Sequence, residues 1–168
     1  MADSIELLKK RKNVSISLLD KNTITKTTII TPIDNKSKYQ RIIELLGSID
    51  IYEDKESLDC LPDYKFPEIR WDSNMKSDDL DLMTDEEIIN KFQLLTKETK
   101  QQKREVCSHC YQTGKRGTAF DIPYFYKGNE NWDSEIPVKG KDAERGCEGC
   151  AWYDFAEWRK HLLNVLEK

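Results

Sequence analysis

An α+β fold is predicted from three observations in one chain of 168 residues: β-branched alternation early, helix-capping patterns in the middle, and an amphipathic stretch behind paired cysteines at the end. Residues 3–12 offer Ile5, Leu7 and Leu8 for a short first helix. Val14, Ile16 and Leu18 then alternate with Ser15 and Ser17, a turn follows at Asp20-Lys21-Asn22, and Thr23 to Thr31 is β-branched, which predicts a β-hairpin. Ser37 with Gln40 has the form of a capping box ahead of Tyr39, Ile42, Ile43, Leu45 and Leu46, and Gly47 is placed to stop a helix over about 37–46.

From Asp50 to Asn90 the composition turns acidic, with fourteen Asp or Glu against four Lys or Arg, and Pro62 and Pro67 interrupt regular structure. Residues 50–83 are expected to be a linker or a docking arm for a protein partner, with Tyr64, Phe66 and Trp71 giving it groups worth burying across a surface of its own domain or of that partner. Thr84 and Glu87 form a second capping box, and Asp85 and Glu86 sit where a helix dipole favours acids. The helix so opened carries Ile88, Phe92 and Leu95 on one face and runs into a Lys-rich stretch before Cys107. The expected organisation is a small α+β region at 1–49, the acidic arm at 50–83, and a helix plus cysteine-rich domain at 84–168.

Net charge is −4, with 38% hydrophobic and 35% charged residues, which argues against a chain that coats nucleic acid over its whole surface. The opening MADSIELLKKRKN has no apolar run long enough for a signal peptide or a membrane span, so a cytoplasmic or nuclear location away from membranes is expected. Five cysteines in a reducing compartment are expected as thiols, and close pairs among them as metal ligands. Cys60 stands alone in DCLPDY and is expected to be a small buried hydrophobe.

The pairs are Cys107-Ser-His-Cys110 and Cys147-Glu-Gly-Cys150, thirty-six residues apart. Two intervening residues let both sulfurs of a pair converge from a tight turn, and two such turns complete the tetrahedral set that zinc prefers. One structural zinc ion is therefore expected, because four thiolates leave no open position for a reactive water. His109 lies inside the first pair and is expected at the surface. Behind Cys150, AWYDFAEWRKHLLNVLEK puts Ala151, Phe155, Trp158, Leu162 and Val165 on one helical face, with Glu157, Arg159 and Lys160 facing out. Between the pairs, Thr118 to Tyr126 and Ile136 to Val138 are expected as short strands. Knuckle, hairpin, knuckle and helix is the order of treble-clef zinc fingers, and the CEGCAWYDF stretch resembles the knuckle-to-helix junction of GATA-type fingers. The resemblance covers residues 107–166 and implies the four zinc ligands, not a substrate.

Lys97, Lys100, Lys103, Arg104, Lys115 and Arg116 crowd toward the first pair, against Glu98 and Glu105. A phosphate-contacting patch is expected from Lys103, Arg104, Lys115 and Arg116, with Tyr111 and Tyr124 available for stacking and weak contact to a nucleic-acid backbone. The leading expectation is a non-enzymatic zinc-binding accessory factor that contacts nucleic acid or the transcription or replication machinery. The alternative is a zinc-stabilised structural or assembly protein, such as a viral one, acting through protein contacts. A zinc-finger nuclease ranks third, because His109 and His161 are the only histidines available for base and catalytic-metal roles and no catalytic residue is recognisable.

Overall fold

The computed structural model describes residues 35–168. The helix expected over 3–12 and the hairpin expected over 14–31 lie outside the described residues. Within them the chain is a mixed α+β structure with two small two-stranded sheets and several helices. No helix among the described residues is long and apolar enough to cross a membrane.

Helix α1 (Asn35–Leu45) stops at Gly47, whose φ of 73° is the left-handed conformation that a helix C-cap requires. The Gly47 N–H donates to the Glu44 carbonyl and the Ser48 N–H to Ile43, so the orphan carbonyls of the last turn are satisfied. Strand β1 (Ile49–Asp50) pairs antiparallel with β2 (Lys55–Glu56), and β3 (Cys60–Tyr64) pairs antiparallel with β4 (Phe92–Thr96) in the register Cys60 to Thr96 and Tyr64 to Phe92. The Ile51 N–H donates to the Leu94 carbonyl on the other side of β4, tying the two sheets together.

The acidic segment 50–83 is thus not a free arm. It contributes β3, buries Phe66, Arg70 and Met83, and pairs two carboxylates with cations of the same chain: Asp63 with the buried Lys103 and Asp78 with the exposed Lys91. Composition misled here because Pro62 looks like a strand breaker. A proline in β3 needs no N–H at its position, and its carbonyl accepts from Lys100 Nζ at 2.8 Å.

Thr84 caps α2 (Asp85–Lys91) with the full box expected: the Glu87 N–H donates to Thr84 Oγ1, and the Thr84 N–H donates to the Glu87 carboxylate. The helix then ends, against expectation, and Phe92 begins β4. Phe92 and Leu94 point into one apolar cluster with Ile42, Cys60, Met83 and Ile88, whereas Leu95 points into another with Trp152, Phe155, Trp158 and Leu162. Burial on both faces at period two is what makes this segment a strand. Cys60 is buried in the first of these clusters, as a small hydrophobe would be.

A new cap at Thr96, accepting from the Thr99 N–H, opens α3 (Lys97–Thr113), which Gly114 terminates at φ 72°. A turn-rich loop follows. It leads through a 3₁₀ turn, Lys141–Ala143, into the four-residue α4 (Glu144–Cys147) and then α5 (Phe155–Leu166), whose N-cap is Asp154. The strands expected over 118–126 and 136–138 are not formed; this loop has two isolated bridges, Lys115 with Asn131 and Ala119 with Ile122. Its carbonyls are satisfied by side chains instead, Trp152 Nε1 reaching Thr118 and Trp158 Nε1 reaching Tyr124, both at 2.8 Å.

Phe155, Trp158 and Leu162 of α5 are buried together as expected, and the partly buried Tyr52 stacks between Phe120 and Trp152 against the same cluster. Two positions on α5 differ from expectation. Val165 is exposed and Leu163 buried in its place, while Arg159 is not outward but buried, donating to the carbonyls of Ile51 and Tyr52.

Candidate metal centre

Cys107 and Cys110 lie one turn apart on α3, so helix geometry puts both on one face. The first pair is therefore helical, not the tight turn expected of it. Cys147 is the last residue of α4, and Cys150 follows in a turn closed by its N–H on the Cys147 carbonyl at 3.2 Å. Gly149 makes this turn possible: it has φ 92°, and a Cβ there would stand 2.3 Å from the Lys127 carbonyl oxygen.

All four are free cysteines, and all four line one cavity of about 30 Å³, together with Arg70, Arg116, Trp132 and Trp152. As placed, no three His, Cys, Asp or Glu side chains among the described residues form a set that could hold a metal ion. The sulfurs share a cavity but stop short of a closed ligand set.

Burial pushes the Cys107 thiol up to about 12, partly opposed by Lys103, and also raises Cys147, opposed by Arg70. The Cys150 thiol is raised by burial too, while the backbone N–H groups of Trp152 and Tyr153 favour its thiolate. Neighbouring sulfurs raise these thiols further: Cys110 and Cys150 act on Cys107, Cys107, Cys150 and Cys110 on Cys147, and Cys110 on Cys150.

Arg70 is almost fully buried beside the cavity. Its Nη2 donates to Cys110 Sγ at 3.2 Å, its Nη1 to the Val138 carbonyl at 2.9 Å, and its guanidinium lies 3.6 Å from the centre of the Trp132 ring. Arg116, also buried, donates to the carbonyls of Lys127, Asn129 and Glu148, and its Nε is enclosed without a hydrogen-bond partner among the described residues. Four sulfurs and two buried arginines thus meet at one cavity.

Sequence reasoning named the four cysteines and missed Arg70. Its one available signal was a lone cation, next to Trp71, between Lys65 and Lys76 in an acidic stretch.

The expected phosphate patch is not assembled. Lys103 is interior, with its Nζ on the Asp63 carboxylate and on the carbonyls of Tyr64 and Lys65. Arg116 is interior as described, so neither presents its charge to solvent. Arg104 and Lys115 are exposed, Lys115 facing Glu130 at 4.0 Å. Tyr111 is half-buried within 5.6 Å of Arg70 and 5.5 Å of Lys139, and Tyr124 is half-buried against Trp158. His109 is exposed on α3, and His161 stacks on Tyr126 with its Nε2 3.1 Å from Glu157.

Part of this chain is 40% identical over 79 residues to "Type II restriction enzyme NlaIII" of Neisseria lactamica, a match that covers 45% of this chain and 30% of the enzyme. No solved structure matches the chain. The likeness to a restriction enzyme overturns the expectation of a non-enzymatic factor, which rested on the scarcity of histidines. The family model described as ICEA Protein matches residues 65–168, which take in β4, all four paired cysteines and α5, and the chain therefore belongs to the ICEA protein family.

Proposed function

We propose that this protein acts on DNA as a nuclease of the restriction type, on a scaffold held by one zinc ion at Cys107, Cys110, Cys147 and Cys150. The observation that carries the first half is the 40% identity to a type II restriction enzyme. Support for the second is the meeting of four free cysteines at one cavity lined by two buried arginines.

The zinc in this reading is structural, since four thiolates fill its coordination and leave no position for water. When bound, it would fix α3 to the α4–α5 junction; hydrolysis of the phosphodiester would fall to groups elsewhere. Likeness to a treble clef is then confined to the Cys147–Cys150 turn leading into α5.

The test is incubation of the folded protein, with its zinc content measured, with supercoiled plasmid and Mg²⁺. Nicked or linear product and about one zinc per chain are expected. Intact plasmid at protein excess overturns the nuclease half. A folded protein without zinc, or a Cys147→Ser variant with full zinc occupancy, overturns the scaffold half, and the two failures are separable.

A further inference from the structure

We infer that His161 is the general base of the phosphodiester hydrolysis proposed above, with Glu157 as the residue that positions its ring. The inference rests on the nuclease reading and takes nothing from the sulfur cavity.

The chain has two histidines. His109 is exposed on α3, and no hydrogen bond or ion pair fixes its imidazole among the described residues. His161 is held on two sides: its Nε2 lies 3.1 Å from Glu157 Oε1, one turn back on α5, and its ring stacks on Tyr126 with centroids 4.3 Å apart and planes 10° from parallel. A carboxylate at Nε2 selects the tautomer with the proton there, which leaves Nδ1 with its lone pair. No hydrogen bond engages Nδ1 among the described residues. With 42% of the side chain exposed, this oriented ring meets solvent. A general base requires that combination, and a histidine packed into a core lacks it.

The groups around the ring suit an anionic substrate. Lys160 Nζ stands 3.5 Å from the same Glu157 oxygen, and Lys127 pairs with Glu148. Both lysines reach solvent, one residue from His161 and from Tyr126 respectively, and draw a phosphodiester toward the imidazole. Burial, together with the nearby Asp154, Glu157 and Glu148 carboxylates, pushes the Tyr126 phenol up to about 12, so the ring behind His161 stays neutral.

In the step itself, Nδ1 takes a proton from a water molecule as the water oxygen forms its bond to phosphorus. The bond from phosphorus to one sugar oxygen breaks, that oxygen gains a proton from solvent, and the imidazolium returns its proton to solvent. One water is consumed, and a phosphomonoester and an alcohol are released.

The experiment is steady-state cleavage of supercoiled plasmid with Mg²⁺ by the full chain, for wild type, His161→Ala and Glu157→Gln, with folding followed by circular dichroism. His161→Ala is expected to lose on the order of 10²- to 10⁴-fold in rate. Added imidazole should restore part of that loss, which it would not do for a merely structural histidine. Glu157→Gln is expected to lower kcat and leave KM unchanged. A folded His161→Ala variant with the wild-type rate, or a slow one that imidazole does not rescue, overturns the inference while the nuclease reading stands. Should His161→Ala fail to fold, His161→Gln takes its place, and wild-type kcat in both His161→Gln and Glu157→Gln overturns the inference. A wild type that leaves the plasmid intact removes the nuclease reading and this inference with it.

Discussion

Lys103 Nζ lies 2.6 Å from the Asp63 carboxylate and 2.6 Å from the Tyr64 carbonyl, joining α3 to β3 inside the protein. Lys103→Met keeps the aliphatic stem and removes the charge, leaving a largely enclosed carboxylate and two carbonyls without their donor. Loss of one partner from a buried pair costs on the order of 3 kcal/mol. Urea denaturation of the variant should show that loss, and pairing it with Asp63→Asn should recover part. A loss below about 1 kcal/mol would place this lysine among weak surface pairs.

Trp158 is fully buried, with its Nε1 on the Tyr124 carbonyl. Trp158→Ala leaves a cavity under α5 and an unpaired carbonyl, and should cost on the order of 4 kcal/mol. Thermal or urea unfolding measures it. Equal stability of variant and wild type would contradict the burial of this face.

Gly149→Ala would place a methyl group 2.3 Å from the Lys127 carbonyl oxygen and 2.5 Å from its nitrogen, at a φ that suits glycine. Backbone cannot step aside as a flexible side chain can, so a loss on the order of 3 kcal/mol is expected. Because the turn carries Cys150, occupancy of the zinc site proposed above should fall with it. Metal analysis beside a denaturation curve checks both effects, and a variant unchanged in both refutes the close packing of this turn.

Asp50 is fully buried with one carboxylate oxygen unpartnered among the described residues, and burial raises its pKa above 3.8. The folded state then holds this proton more tightly than the unfolded chain does. Stability contributed by Asp50 should therefore rise as pH falls through the raised value toward 3.8, and the cost of its charge is in full force above that range. Asp50→Asn removes this dependence. The difference in unfolding free energy between wild type and variant should shift in favour of wild type between about pH 7 and about pH 4. A pH-independent difference would show that the carboxylate does not titrate anomalously.

Local patterns were legible because their partners lie within one turn of chain. Thr84 with Glu87 and the Gly47 stop are of this kind, and the cysteine spacing led to four residues that do share a cavity. What failed depended on distant partners. Ile88, Phe92 and Leu95 fit a helical face on spacing alone, and only the packing of Phe92 and Leu95 into separate clusters makes Phe92–Thr96 a strand. Lys103, Arg116 and Arg159 looked like solvated charges because their partners are mainly backbone carbonyls, which every residue carries and no sequence motif marks.

The grip of Arg159 on the carbonyls of Ile51 and Tyr52 spans 108 and 107 residues of chain. During synthesis the segment around Tyr52 emerges long before α5 exists, so its aromatic ring must wait without Trp152 and Phe155 to cover it. The β3–β4 pair and α3 can form early from nearer neighbours, but the central aromatic cluster closes only when α5 arrives. Closure of this cluster thus depends on contacts of large sequence separation, and partly made chains should expose Tyr52 and Phe120.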